Sequence, residues 1–188
     1  MQGKIKDKIR KRVKEQMLAL IRIFWDICRL RAGPQTVPKG INLMVGAIFA
    51  GIIVDSFASS ILIPKLSGLD ILKTVAIYNI LLLTAIFFLL KLVGYAERGV
   101  QTVTAIAASG LFISLILLPG LLMMNSVEEQ VKSFAIFILI DNVWRIAVNA
   151  HILRHSFSIS LLMAMILSVS YLIFGVFVAD FVLPIQNQ

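Results

Sequence analysis

The sequence predicts an all-α integral membrane protein, a five-helix transmembrane bundle preceded by a basic amphipathic helix. Of its 188 residues, 59% are hydrophobic and 15% are charged, and the mean hydropathy is +0.93. Soluble domains contain about 25% charged residues, so this composition is typical of a chain with several membrane spans. Five apolar stretches follow one another, and each approaches or exceeds the ~20 residues with which a helix crosses hydrocarbon.

Residues 1–31 carry most of the net charge and are predicted to form the amphipathic helix. They contain ten Lys or Arg and three Asp or Glu, which gives +7 of the formal charge of +8. Apolar residues recur every three or four positions, as on one helical face. They are Ile5, Ile9, Val13, Met17, Leu20, Ile21, Phe24, Ile27 and Cys28. The basic residues expected at the membrane surface are Lys4, Lys6, Lys8, Arg10, Lys11, Arg12 and Lys14.

This basic segment predicts contact with anionic lipid, because each Lys or Arg near an anionic leaflet contributes about 1 kcal/mol. Two alternatives stay open at this point: a tail that only keeps the N-terminus in the cytoplasm, and a helix that binds a partner. Nucleic acid is not an expected partner, because the charge is confined to one segment and is not accompanied by base-reading or stacking groups outside the bilayer.

A linker over residues 32–40, AGPQTVPKG, separates this helix from the spans, because Gly33-Pro34 and Val37-Pro38 oppose helical continuation. The transmembrane domain is therefore predicted over 41–188. Its five spans are predicted at 41–63, 71–93, 100–124, 133–155 and 157–182. Lys and Arg are concentrated on the N-terminal side of this topology, which predicts a cytoplasmic N-terminus and a C-terminus outside.

The fourth span contains an acid, a base and an amide at helical spacing: Asp141, Arg145 and Asn149. An ionisable group inside a span costs about 3 kcal/mol on insertion scales, so such groups almost always face the protein interior or a wet cavity. Asp55 in the first span lies at the same predicted depth as Asp141, about 12 Å below the outer end. We therefore expect spans one and four to pack together, with Arg145 paired with Asp141 or Asp55.

Two interpretations of these polar residues stay open. They form either a bridge that locks the helices together or part of a path for a proton or a solute. With two acids against one base, the second carboxylate is either solvated or protonated. The third span is rich in small residues, which is typical of a helix surrounded by others. Trp144, beside the polar residues, is expected to fill the core.

Metal and cofactor chemistry find little support in the sequence. His151 and His155 have the spacing of two ligands to one metal, but no Cys or carboxylate joins them locally and Arg154 lies between them. We therefore expect no metal and no cofactor. Cys28, the only cysteine, is expected to be a small buried residue, with acylation as the alternative. The common sequence motifs of hydrolases and nucleotide-binding enzymes are absent.

The order of elements resembles the Yip family of small membrane proteins, in particular its short bacterial relatives. The resemblance lies in the basic N-terminus, the Gly-Pro turn AGPQTVP and five closely spaced spans, and DNVWRIAVNAHILRHSFSISLLMAMILSVSYLIF is similar to the family's closing segment. It implies a five-helix bundle with a cytosolic N-terminus in a bacterial inner membrane. The Asp-Leu-Tyr-Gly-Pro element of eukaryotic members is lacking, so their Rab-type partners are not expected.

Three classes of function are compatible with these observations. The favoured one is a non-enzymatic scaffold, assembly or trafficking partner, which would contact lipid and a membrane protein or a second copy of the chain. The alternatives are a small transporter or channel that uses the Asp/Arg cluster, and an intramembrane lipid-modifying enzyme. A wet cavity reaching Asp55 would favour the transporter, whereas a closed, dry cluster would count against it.

Overall fold

The computed structural model describes residues 2–63, 66–123 and 127–182, without the side chains of residues 2–5, 8, 9, 13, 127–135 and 179. The helices in these ranges are α1 (Gln2–Cys28), α2 (Ile41–Leu62), α3 (Gly68–Leu92), α4 (Gly99–Leu122), α5 (Val127–Phe157) and α6 (Leu161–Val182). Five are long and apolar enough to cross a membrane: α2, α3, α4, the Ile136–Phe157 part of α5, and α6. The predicted all-α polytopic bundle is confirmed.

Local chemistry explains where several helices begin and end. α1 ends at Cys28, before the predicted boundary, because Leu30 adopts a left-handed backbone conformation with φ of 60°. Pro34 then opens a short 3-10 turn inside the predicted linker. α3 begins after Ser67, whose hydroxyl oxygen caps the helix by accepting a hydrogen bond from the backbone N–H of Asp70 at 3.2 Å.

α4 is the central helix and packs against α1, α2, α3 and α5. Its first half is the most enclosed part of the bundle, and residues 102–106 are all buried. Small residues permit this close approach, as predicted for the third span. A methyl group added at Gly51 of α2 would lie only 3.8 Å from the carbonyl oxygen of Ala107, so the two backbones run close together.

The prediction that spans one and four pack directly together is wrong. α2 packs against α3 and α4, whereas α5 packs against α4 and α6, so α4 separates most of α2 from α5. The small residues Ala47 and Gly51 of α2 therefore serve the contact with α4. Arg145 of α5 still reaches Asp55 of α2, because its long side chain passes beside Gly110, where α4 presents no side chain.

The last two turns of α1 are buried in the bundle. Phe24 packs on Phe112 of α4 with ring centroids 6.1 Å apart, and Ile27 and Cys28 are buried behind it. Cys28 donates a hydrogen bond to the carbonyl oxygen of Ser109, which lies ten residues beyond the first residue of α4. At 1.5 Å per residue, the end of α1 is about 15 Å along α4, so this helix does not lie only on the surface of the bundle.

The earlier part of α1 stands clear of the bundle. Met17 and Ile21, predicted on the apolar face, are 58% and 47% exposed in the chain, so they are available to lipid and not to the core. The basic side chains that the structure describes here are all exposed: Lys6, Arg10, Lys11, Arg12 and Lys14. The structure does not describe the side chains of two predicted basic residues, Lys4 and Lys8, or of three residues on the predicted apolar face, Ile5, Ile9 and Val13.

The connections between the helices define two ends of the bundle. We call the end where α2 ends and α3 begins the distal end, and the end where α3 ends and α4 begins the proximal end. The last turns of α1 run toward the proximal end, since Phe24 contacts Phe112 of α4 whereas Cys28 contacts Ser109, and the linker after them contacts α4 and α5 near that end. α6 runs from the proximal to the distal end, so residue 182 lies distally.

Arg98 links α4 to the connection between α5 and α6 at the proximal end. One terminal nitrogen donates hydrogen bonds to the carbonyl oxygens of His155 and Ser156, at 3.3 and 3.1 Å, and to the hydroxyl of Ser158 at 2.9 Å. The last carbonyls of a helix lack partners within the helix, so this side chain satisfies part of the end of α5.

Candidate functional site

Three of the four predicted polar residues meet inside the bundle, together with Ser114. Nε of Arg145 donates hydrogen bonds to both carboxylate oxygens of Asp141, at 2.8 and 2.9 Å. A terminal nitrogen of Arg145 donates to the Ser114 hydroxyl at 2.6 Å and lies 3.4 Å from Oδ1 of Asp55. Ser114 donates to the same Asp55 oxygen at 2.6 Å. We call these four residues, which come from α2, α4 and α5, the polar cluster.

The polar cluster forms the floor of a cavity of about 430 Å³ in the distal half of the bundle. All five spanning helices contribute to its walls, which are mostly apolar. They include Leu62, Ile71, Leu117, Leu121, Phe137 and Val176. The side chains of Asp55, Asp141 and Arg145 are 21%, 30% and 28% exposed, and all three line the cavity.

A second, smaller cavity of about 50 Å³ lies on the proximal side of the polar cluster. Its polar lining includes Asn149, Ser168 and Tyr171, together with Asp55 and Arg145. One water molecule occupies about 30 Å³ in the liquid, so this space suits one or two waters. Asp55 and Arg145 line both cavities, together with Tyr78, Asn79 and Leu172, so these five residues lie between the larger space and the smaller one.

The bundle is densely packed from the smaller cavity to the proximal end. Leu90, Ile152 and Leu153 have no exposed surface. The buried hydroxyls of Thr102 and Ser156 satisfy each other with a hydrogen bond of 2.8 Å. Closed packing therefore lies on the proximal side of the smaller cavity.

Two glycines allow aromatic rings to line the larger cavity. The ring of Tyr78 lies against Gly175 of α6, and a methyl group added to this glycine would overlap the ring. The ring of Phe137 lies in the same way against Gly120 of α4. A side chain at either glycine would have to displace its ring, and the larger cavity is the adjacent open space.

The fourth predicted residue, Asn149, lines the smaller cavity beside Arg145. Two further residues belong to the site although sequence reasoning does not single them out. The sequence indicates only a small packing residue at Ser114, because its partner Asp55 is 59 positions earlier in the chain. The sequence indicates that Tyr78 is one of several ordinary hydrogen-bonding residues, whereas in the structure it lines both cavities.

The two histidines lie near the proximal end, away from the polar cluster. Nε2 of His151 is 3.1 Å from the carbonyl oxygen of Ala32, and its ring meets that of His155 edge-on at 4.7 Å between centroids. Among the residues that the structure describes, no three His, Cys, Asp or Glu side chains gather closely enough to hold a metal. His151 instead contacts the linker after α1.

The end of α1 is tied to the helix that carries Arg145. Trp144, partly buried, donates a hydrogen bond from Nε1 to the carbonyl oxygen of Cys28 at 3.0 Å. The Cys28 side chain is buried, and this burial raises the pKa of its thiol to about 11. Nearby, Gln101 donates to the carbonyl oxygen of Val37 at 2.6 Å. The linker and α1 are thus attached to α4 and α5.

The site therefore consists of an apolar cavity among five helices, a floor of two carboxylates, one guanidinium and one hydroxyl, and a small polar space beneath that floor. Such a site combines a volume for an apolar body with a charged group that fixes one polar end. No protein-family model, curated protein or solved structure matches the chain.

Proposed function

We propose that the protein is a small membrane transporter, which takes an amphipathic solute into the larger cavity and passes it beyond the polar cluster. The observation that carries this proposal is the position of Asp55 and Arg145 between two cavities. A transporter requires a cavity that reaches Asp55, and the larger cavity does so. A scaffold that merely packs its helices does not require charged groups around an internal space.

The energetic cost of the polar cluster supports this proposal. Charged side chains within a membrane span are costly, and well-packed apolar residues of similar volume are often as stabilising as a buried ion pair. Leu or Met at these positions would therefore stabilise the bundle about as well as the polar cluster does. A role for Asp55 and Arg145 in contact with a solute accounts for their presence beside a cavity.

The pairing within the cluster favours a movable contact at the floor. Arg145 is held firmly to Asp141 by two bonds of 2.8 and 2.9 Å on the same helix. Its contact with Asp55 is longer, at 3.4 Å, and crosses between helices. Separation of Arg145 from Asp55 would join the two cavities while Arg145 keeps its closest partner. This step is the proposed opening between the distal and proximal spaces.

We further propose that the proximal end faces the cytoplasm of a bacterial cell, with the protein in the inner membrane. The bias of Lys and Arg supports this orientation. At the proximal end lie Lys39, Lys91, Arg98 and Arg154. The larger cavity then lies in the outer half of the bundle, and the exposed basic side chains of α1 are proposed to contact anionic lipid.

Transport requires the smaller cavity to become accessible, and a cysteine there tests this. Asn149→Cys in a Cys28→Ala background is placed in proteoliposomes and treated with a membrane-impermeant maleimide from one side at a time. We expect labelling from both sides, because the cavity opens in turn to each. Ile80→Cys is the matched control: it lies on the outer face of α3, is 55% exposed, and would face lipid, so it should label slowly.

A second cysteine distinguishes transport from simple binding. Ala58→Cys lies in the wall of the larger cavity and should label rapidly from the distal side. If Ala58→Cys reacts while Asn149→Cys is protected from both sides, the larger cavity holds water but leads nowhere. That result would contradict a transporter.

A further inference from the structure

We infer that the solute is an organic cation, a protonated amine with an apolar body, whose ammonium group binds Asp55 at the floor of the larger cavity. This inference rests on the proposed function and narrows it to one class of solute. Three features of the site support it: the balance of charge around the cavities, the unequal pairing of the two carboxylates, and the composition of the walls.

The residues that line the two cavities carry more acid than base. In the part of the chain that the structure describes, Asp55 and Asp141 face them as acids and Arg145 faces them as the base. An arginine stays protonated in proteins, so one negative charge is left over when both acids are ionised. An unbalanced charge in apolar surroundings is costly. A cationic solute supplies the missing charge, whereas an anionic solute adds to the imbalance.

The unequal pairing selects Asp55 as the carboxylate that meets the solute. Both oxygens of Asp141 accept from Arg145 at 2.8 and 2.9 Å. Among the described residues, the hydrogen bonds to Asp55 come from Ser114 at 2.6 Å and Arg145 at 3.4 Å, and both end on Oδ1. Oδ2 of Asp55 therefore keeps its capacity to accept an N–H from a bound ammonium group.

The walls favour an organic cation over a metal ion. A calcium or magnesium ion takes six or more oxygen ligands, but the described residues gather no three His, Cys, Asp or Glu side chains in one place. The volume of about 430 Å³ lies in the range of small-molecule sites and has mostly apolar walls. Tyr78 and Phe137 also present aromatic rings to the cavity, and aromatic faces attract organic cations.

Three probes with the same apolar body and different heads test this inference. They are 4-phenylbutylamine, which is a cation at pH 7, the neutral 4-phenylbutanol, and the anion 4-phenylbutyrate. Each is titrated calorimetrically into the full-length protein in phosphatidylcholine nanodiscs, with empty nanodiscs subtracted. We expect the amine to bind at least about tenfold more tightly than the other two, the factor of one charge-assisted hydrogen bond.

Variants assign the preference to Asp55. Asp55→Asn should remove the advantage of the amine over the alcohol. The matched control is Asp70→Asn, because Asp70 is also a distal acid but is half exposed and paired with Lys73 at 3.8 Å outside the cavity. It should leave the preference unchanged. Ala58→Phe narrows the wall without changing any charge, and it should weaken the binding of all three probes by similar factors.

The outcomes separate this inference from the proposed function. Equal binding of the amine and the butyrate, or tighter binding of the butyrate, overturns the cation assignment and leaves a transporter of another solute class. The absence of binding by all three probes also overturns it, while the cysteine-labelling experiment decides separately whether the cavities conduct. If Asp55→Asn does not fold, the head-group preference of the wild type and the effect of Ala58→Phe still decide the inference.

Discussion

The hydroxyl of Ser114 donates a 2.6 Å hydrogen bond to Asp55, which lies 59 positions earlier on a different helix. The same hydroxyl oxygen accepts a 2.6 Å bond from Arg145. One small side chain of the central helix thus holds the acid of α2 beside the base of α5. The two flanking helices share this contact although they scarcely pack on each other.

Ser114→Ala should destabilise the bundle, because it removes both bonds and leaves charged groups with fewer partners. We expect a loss of about 2 kcal/mol in the free energy of unfolding, measured by denaturation in detergent micelles. Ser60→Ala is the control: Ser60 bonds only its own helix, at the carbonyl of Phe57, and should cost much less. Equal losses for the two variants would show that the hydroxyl of Ser114 does not hold the cluster.

Asp141→Asn should cost more stability than Asp55→Asn. Asp141 accepts two short bonds from Arg145, whereas Asp55 has only the longer contact with this residue. We expect about 2 kcal/mol for Asp141→Asn and about 1 kcal/mol for Asp55→Asn. The same unfolding measurement decides the order, and a larger loss for Asp55→Asn would mean that Asp55 is the principal partner of Arg145.

The thiol of Cys28 should react slowly near neutral pH. Its burial should stabilise the fold only at pH values where the thiol is neutral. Burial raises its pKa from 9.0 to about 11, so the folded chain favours the neutral thiol. Its contribution is therefore complete below pH 9 and is lost as the pH rises toward 11. At pH 8 about one folded molecule in a thousand carries the thiolate. Iodoacetamide labelling should be slow at pH 8 and accelerate with pH.

Phe24→Ala tests whether this protection comes from the docked end of α1. Phe24 is 5% exposed and packs on Phe112, so its removal should open the site and accelerate labelling of Cys28 at pH 8. The control is Met17→Ala, since Met17 is 58% exposed on the free part of the same helix. Rapid labelling of the wild-type protein at pH 8 would contradict the burial of α1.

Gly175→Ala should push the ring of Tyr78 into the larger cavity and weaken the binding of 4-phenylbutylamine about tenfold. Gly99→Ala is a matched control, because its added methyl group would overlap the ring of Phe87 at the proximal end, away from the cavity. Both variants should lose a similar amount of stability, but only Gly175→Ala should lose affinity. A parallel loss of affinity would indicate a general packing defect.

Arg98→Gln should weaken the proximal end, because three hydrogen bonds to the connection after α5 are lost. We expect a loss of about 2 kcal/mol in unfolding free energy. Lys91→Gln removes an exposed positive charge in the last turn of α3 and should cost less than about 0.5 kcal/mol. If the two variants unfold alike, the bonds of Arg98 contribute nothing beyond surface charge.

Much of the fold could be predicted because apolar runs and the Gly-Pro and Val-Pro pairs of the linker are local signals. The depth argument also placed Asp55 at the level of Asp141 and within reach of Arg145, and the structure brings Asp55 and Arg145 into contact. The helix that lies between them could not be predicted, because the small seams on α2 and α4 are equally suited to several neighbours. The contacts of Ser114 depend on that packing, so they could not be predicted from the sequence either.

The position of α1 could be predicted only in part. The predicted apolar face is buried at Phe24 and Ile27. The same periodic pattern continues through Met17 and Ile21, which are exposed, because periodicity does not distinguish residues that pack on protein from residues that face lipid. The cavity is also a tertiary property, because five helices together form its walls. The resemblance to the Yip family and the roles of lipid, partner protein and oligomer stay predictions.

The most direct test of the account is the rate at which charged reagents modify Ala58→Cys in the wall of the larger cavity, in a Cys28→Ala background. With each rate divided by the rate of the same reagent on a small free thiol, we predict that a trimethylammonium-ethyl methanethiosulfonate reacts about tenfold faster than its sulfonate analogue, and that Asp55→Asn removes this difference. If neither reagent modifies Ala58→Cys any faster than it modifies the outward-facing Ile80→Cys, the cavity is not an aqueous route to Asp55 and Arg145, and the account is contradicted.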